Sequence, residues 1–174
     1  MKILHVINSL NFGGAERLLY DLALNMCSEH PDISVEICTL FDDSSWGEAL
    51  KRENVAVYDL NVGKWNAAKA IYRLRKLITR NGYDIVHAHL WPSLYYVSAV
   101  SLLEQRPVYI YTEHSTNNRR RGYSILRWLE SKVYSNYDAV VANSPETKKD
   151  LSSWVPNAKT DIHVVKMAWL CPTS

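Results

Sequence analysis

The stretch "YDIVHAHLWP" sets two imidazoles, His87 and His89, two residues apart. On a β-strand that spacing points both rings to one face. A second stretch, "YIYTEHSTNNRRRG", puts Glu113 beside His114 and follows them with Arg119, Arg120 and Arg121. A third, "NSLNFGGAERLL", places Gly13 and Gly14 directly ahead of helical spacing. Imidazole and carboxyl groups can move protons, guanidinium groups hold anions, and glycine amides at a helix N-terminus admit a phosphate. Each feature also has a plainer reading. His87, the deeper of the two along the strand, can be a satisfied structural histidine, which leaves His89 as the candidate for an open crevice. Three arginines ahead of a helix oppose its dipole, which suits an anionic ligand, yet a solvated loop explains them too. Adjacent glycines also serve a simple turn. A metal on His87 and His89 would need a third ligand from elsewhere.

The elements that must position these groups alternate along the chain. Short β-rich runs occur at Ile3–Ile7, Val35–Leu40, Val55–Leu60, Asp84–His89, Val108–Glu113, Ala139–Asn143 and Ile162–Val165. Between them lie helical segments. The first is "AERLLYDLALNM", whose apolar face is read from Leu18, Leu22 and Met26 and widened by Leu19 and Ala23. The others cover Ser45–Glu53, Trp65–Arg80, Ser93–Gln105, Tyr123–Ser135 and Pro145–Trp154, the last with Ser144 as its N-cap. Such alternation predicts an α/β domain: a doubly wound, mostly parallel, Rossmann-like sheet with helices on both faces, over residues 1–165. Ligands of such folds bind outside the carboxyl ends of the strands, where the three motifs fall.

Composition narrows the function. At 174 residues, 47% hydrophobic and 22% charged, the chain reads as one globular domain. A net charge of +2 gives no reason to expect nucleic acid as a partner. Cys27, Cys38 and Cys171 show no metal spacing, and an odd number fits reduced thiols in the cytosol. The N-terminus lacks the pattern of a secretion signal, and no apolar run is long enough to span a membrane. The glycine loop lacks the three spaced glycines and the later acid of a dinucleotide site, so no nicotinamide cofactor is expected, nor any other cofactor or resident metal. From Lys64 to Arg80 the chain carries six basic residues and no acid, with Lys69, Arg73, Lys76 and Arg80 in one helical stripe and Ala67, Ile71, Leu74 and Ile78 in another. That helix suits an anionic membrane surface, or simply a solvated basic face over a packed one.

Taken together, "HVINSLNFGGAERLLYDLA", "YDIVHAHLWPSL", "YTEHS" and "YDAVVANSPETKKDL" resemble the N-terminal domain of the retaining family-four glycosyltransferases of the GT-B fold. The resemblance runs from Met1 to about Val165. It implies one half of a two-domain enzyme that moves a sugar from a nucleotide-sugar donor to a saccharide or lipid-linked acceptor in the cleft between the domains. It also implies that Gly13 and Gly14 face the donor diphosphate and that His89 lines the cleft as the catalytic candidate. His87, Glu113, His114 and the three arginines would lie on the acceptor side. The family's second domain, which holds the donor through a pair of spaced glutamates, is not in this sequence. The chain is therefore expected to bind donor weakly and to be inactive unless a separate chain completes it. The alternative is a non-catalytic module that keeps acceptor or partner recognition.

Residues 166–174, "KMAWLCPTS", depart from the family, which continues there with an Asn-Gly turn. One adenine restored between the lysine and methionine codons makes the frame read Lys-Asn-Gly whatever the wobble bases. The expectation is that this tail is out-of-frame text at the start of the interdomain linker.

Overall fold

The computed structural model describes residues 1–11, 13–42, 44–63, 66–114 and 124–165. Arg119, Arg120, Arg121 and the 166–174 tail lie outside these.

All seven expected strands form: β1 (Lys2–Ser9), β2 (Ser34–Asp42), β3 (Ala56–Asp59), β4 (Ile85–His89), β5 (Val108–Glu113), β6 (Ala139–Ala142) and β7 (Ile162–Val164). They join one parallel sheet in the order β3-β2-β1-β4-β5-β6-β7. The chain winds outward from β1 to β3, crosses back, and winds the other way from β4 to β7. The reversal falls between β1 and β4, and a doubly wound sheet opens its crevice at that point.

Among the described residues six helices make the crossovers: α1 (Gly14–Glu29), α2 (Ser44–Arg52), α3 (Ala67–Asn81), α4 (Ser93–Ser101), α5 (Ser124–Tyr134) and α6 (Pro145–Trp154). Local chemistry sets several of their ends. Asn66 caps α3 by accepting from the Lys69 amide at 3.0 Å. Gly82, left-handed at φ 62°, ends that helix and donates its N–H to Ile78 O. Ser144 caps α6 through the Thr147 amide at 3.1 Å, with Pro145 first in the helix as expected.

Strand alternation divides the core. Leu4, Val6, Val86, Ala88, Tyr109, Tyr111 and Val140 face α3, α4, α5 and α6, which contribute Leu74, Ile78, Leu94, Val97, Val133 and Leu151. Ile7, Val35 and Ile37 face the opposite way, under Leu19 and Ala23 of α1 and Leu50 of α2. The buried stripe of α1 is thus centred on Leu19 and Ala23. Leu22, read from the sequence as part of the central stripe, is 37% exposed, because the helix rolls its widening positions inward. Glu130 ties the larger layer together. Its buried carboxylate accepts from Tyr95 OH of α4 and Trp154 Nε1 of α6, each at 2.6 Å. A carboxylate can be buried there because both neighbours donate.

Helix α3 packs Ala70, Leu74 and Ile78 into the core. Its basic stripe lies along the edge strand β3, where Arg73, Lys76 and Arg80 border a cleft with Tyr58 and Asp59. Arg73 donates to Leu60 O at 2.5 Å. Charges along an open sheet edge discourage pairing with other strands, which is a structural reason for part of this stripe.

Candidate functional site

The site grows from the switch between β1 and β4. In parallel register His5 sits opposite His87. Both alternate with core residues of the larger layer, so their rings share the other face. His89 follows on that face, and His114 extends it from the end of β5. The rings of His87 and His89 stack with centroids 4.3 Å apart. His5 Nδ1 and His89 Nε2 are joined by a hydrogen bond of 2.9 Å. His89 Nδ1 and His114 Nε2 are joined by another of 3.2 Å. His87 Nε2 pairs with Thr112 Oγ1 at 2.7 Å. The result is a chain of three imidazoles from the sheet interior to the carboxyl edge, with a fourth stacked beside it.

Burial keeps these rings neutral. It lowers the pKa of His5 to about 4 and that of His114 to about 4. It also pushes His87 and His89 well below the usual histidine value, and the neighbouring imidazoles add to the effect. A neutral imidazole has one N–H and one lone pair. His89 uses both of its nitrogens, so it must donate to one neighbour and accept from the other. The direction of that pair decides whether His114 presents a lone pair or an N–H at its outer nitrogen. His5 Nε2, at the inner end, is buried without a hydrogen-bond partner among the described residues, which costs about 1–3 kcal/mol where nothing satisfies it.

In the sequence His5 stands out only as a polar residue inside the apolar run of β1. A histidine inside a buried parallel strand is itself a signal of a polar partner, and its register partner is His87. It also supplies the third imidazole that a metal on His87 and His89 would need: His5, His87 and His89 each offer a nitrogen within 4.8 Å of the others. Those nitrogens are mostly engaged already, with one another and with Thr112. The arrangement works as a hydrogen-bond chain without an ion.

The relative depths differ from expectation. His89 is buried and His87 half-buried, because His89 lies under His114 and against His5. Glu113 does not join the histidines. It is buried on the opposite face and accepts from Tyr134 OH of α5 at 3.0 Å, since the residue before His114 must point the other way. Two further residues missed in the sequence hold the rim. Asn8, at the end of β1, donates to Trp91 O and accepts from the Ser93 amide, pinning the β4–α4 turn. Asn143, after β6, donates to His114 O at 3.2 Å and is itself held by Thr147 Oγ1. Within the pinned turn Leu90 is left-handed at φ 64°, a conformation a leucine side chain disfavours.

Gly13 and Gly14 start α1 at the same carboxyl edge. Gly13 is extended and gives the helix no side-chain cap, so the first-turn amides have no side-chain acceptor from that position. The carboxylate of Glu16 instead curls toward Gly13, where an added Cβ would meet Glu16 Oε2 at 2.2 Å. A Cβ on Gly14 would meet nothing within 4 Å. An anion arriving at this helix start would have to displace the Glu16 carboxylate.

The sequence profile of Glycosyltransferase Family 4 matches residues 12–167. No curated protein matches by sequence. Among solved structures, HepE of Anabaena in complex with UDP and glucose superposes with a TM-score of 0.71 at 18% identity. The superposition covers 97% of this chain and 45% of HepE. Sucrose-phosphate synthase of Thermosynechococcus elongatus gives 0.71 at 14% identity over 95% of this chain and 47% of the synthase. The lipopolysaccharide outer core galactosyltransferase WaaB, in its apo form, gives 0.70 at 17% over 95% and 45%. A UDP-N-acetylglucosamine 2-epimerase also superposes, at 0.66, so the fold alone does not fix the reaction. The chain spans less than half the length of each of these neighbours. Because the family profile covers nearly all of it, the chain belongs to Glycosyltransferase Family 4, with the Rossmann-like architecture of one GT-B half.

Proposed function

We propose that this chain is the acceptor-side half of a glycosyltransferase. The whole protein would move a sugar from a nucleotide-sugar donor to a saccharide or lipid-linked acceptor, and transfer would need a second, donor-holding domain. The observation that carries this reading is the meeting, at one carboxyl edge, of the uncapped α1 start and the His5–His89–His114 chain. The complex of HepE with UDP and glucose supports a donor of that class. Glycosyl transfer takes a proton from the acceptor hydroxyl as the new bond forms. His114, the outermost ring of the chain, would hold that hydroxyl, and His89 would act through it by setting which nitrogen carries the proton. His87 and the arginines at 119–121 would flank the acceptor, while Glu113 supports the strand end from behind through Tyr134. Gly13 and Gly14 would meet the donor diphosphate. Without a second wall opposite this one, water would not be excluded and the leaving diphosphate would not be neutralised, so residues 1–174 by themselves should not turn over. A lipid-linked acceptor would bring the domain to the cytoplasmic face of a membrane, where the basic face of α3 supplies attraction.

The test is to read the coding sequence beyond residue 174, and the neighbouring genes, for a second Rossmann-like domain with spaced glutamates. That domain is then added to this chain with radiolabelled nucleotide sugars and a lipid extract as acceptor. Transfer is expected only with both parts present. Transfer by the chain alone would overturn the two-domain reading, and a genome with no such domain would leave a binding module.

A further inference from the structure

A large hollow among the described residues lies on the sheet face opposite the histidines. It is an open groove of about 1140 Å³ between α4 and α5, closed at one end by the turn after α6. Its lining joins Tyr95, Ala99 and Leu102 of the α4 region to Trp128 and Leu129 of α5 and to Pro156. Large apolar side chains stand out into solvent here. Leu102 is 63% exposed, Trp128 64% and Leu129 43%, with Leu103 next to the groove at 53%. A cluster of that kind at one place marks an interaction surface, whereas scattered exposed leucines do not.

The charges say what kind. The described lining carries Arg127, Lys132 and Lys159 and no carboxylate. The acid of α5, Glu130, is turned inward to Tyr95 and Trp154. Arg127, also exposed, is tied to the carbonyls of Ser153 and Trp154 at the end of α6, while Lys132 and Lys159 stand exposed at the rim. Lys132 Nζ sits 3.9 Å from the centroid of the Trp128 ring, so one indole and one ammonium form a single projecting unit. Exposed tryptophan and leucine with flanking lysines match the boundary of an anionic bilayer, where apolar rings enter the acyl region and ammonium groups meet phosphates. A second copy docking through the same patch would bring lysines against lysines, which disfavours a symmetric dimer there.

We propose that this α4–α5 groove is the membrane-docking surface of the domain, seated on anionic phospholipid by Trp128, Leu129, Leu102 and Leu103 with Lys132 and Lys159 at the headgroups. It rests on the peripheral-membrane part of the functional reading and moves the anchoring element from α3 to α5. The two helices belong to one layer over the same sheet face. Helix α3, however, has turned its apolar stripe into the core and projects only Tyr72, 66% exposed, among its large apolar residues. It can attract a membrane but has little to insert.

The experiment is co-sedimentation of the full chain with sucrose-loaded vesicles of phosphatidylcholine alone and of phosphatidylcholine with phosphatidylglycerol. Wild type should pellet with the anionic vesicles and stay in solution with the neutral ones. Trp128→Ser with Leu129→Ser should lower the partition coefficient about tenfold or more at constant salt. Lys132→Gln with Lys159→Gln should lower it several-fold and flatten its salt dependence. Both pairs are exposed, and unchanged thermal melts verify folding. As a second measurement, brominated lipid should quench wild-type tryptophan fluorescence more than that of Trp128→Phe. Failure of wild type to bind anionic vesicles overturns both the groove and the peripheral reading. Binding that survives the serine pair but is lost when Lys69, Arg73, Lys76 and Arg80 become glutamine overturns the groove alone and returns the role to α3. Self-association that the serine pair abolishes, without vesicle binding, overturns it in favour of a second copy.

Discussion

Over β1, β2 and β3 the sheet is clothed on both faces, whereas over β5, β6 and β7 the described residues clothe only one. On the first half Ile7, Ile37, Leu19, Ala23 and Leu50 are essentially inaccessible beneath α1 and α2. On the second half the corresponding face carries Val108, 47% exposed, with Ile110, Ala139 and Val141 half-buried and His163 exposed. Parallel sheets normally bury both faces, so the difference is a change of environment across one continuous ladder. The histidines occupy its seam. His5, on the clothed side, is dry, while His87, on the open side, is half wet. A seam of this kind lets burial hold imidazoles neutral while one end of their chain still reaches the crevice. The proposed chemistry falls where the second layer, among the described residues, stops.

The sharpest way to break this comparison is a matched pair of truncations. Ile37→Ala removes a side chain sealed between β2 and the α1–α2 layer and should cost about 2–5 kcal/mol of unfolding free energy. Ile110→Ala removes one that faces no helix among the described residues and should cost about 1 kcal/mol. Urea unfolding of the two variants decides, and equal losses would show that the open half is as tightly packed as the closed one.

The seam should announce itself in the pH dependence of stability. His5 has an ordinary value of 6.5 and about 4 in the folded chain. Between those values the unfolded chain takes up a proton that the folded chain refuses. Stability is therefore full above about pH 6.5 and drains as pH falls toward 4. His87, His89 and His114 act in the same direction. The combined loss should be on the order of a few kcal/mol, read as a fall in Tm between about pH 7.5 and about pH 5. A flat Tm over that range would mean that the rings are wetter than the structure makes them, and His5→Asn should reduce the slope.

Smaller in scale is the rim of the open half. Ser144→Ala removes the cap of α6 and should cost about 1 kcal/mol. Because Thr147 also holds Asn143, and Asn143 holds His114 O, the imidazole resonances of His114 should move in the NMR spectrum. Changes confined to α6 would separate the cap from the site.

Much of this was legible in the sequence, for reasons that differ by region. The seven strands are short apolar runs between turn signals, and a parallel sheet makes few other uses of such runs. The shared face of His87 and His89 followed from a period of two. His5 was hidden because its meaning depends on register: only pairing β1 beside β4 brings it against His87 and His89. The side taken by Glu113 was legible too, since adjacent strand residues must diverge, yet its adjacency to His114 in sequence suggested a shared site. The exposed face of α5 could not be read from the pattern, because Trp128 and Leu129 look like core residues until Val133 and Tyr134 are seen to fill that place.

The smallest stability effect belongs to the clothed half's own edge, at the start of α1. Gly14 has helical backbone and open space where a Cβ would stand. Gly14→Ala should therefore leave stability unchanged or raise it by a few tenths of a kcal/mol, through the higher helix propensity of alanine. Its effect on ligand should be larger than its effect on fold, because the same open space is what a diphosphate would enter. The chain alone should bind UDP only weakly, since a single helix start contributes little without an opposing wall. At millimolar UDP, amide shifts should still appear at Gly13, Gly14 and Ala15, and Gly14→Ala should abolish them. Glu16→Gln should strengthen them a few-fold by removing the carboxylate that now curls toward Gly13. If UDP instead shifts only residues remote from this helix start, or binds in the micromolar range to Gly14→Ala as well as to wild type, the donor phosphates meet this fold somewhere other than Gly13 and Gly14.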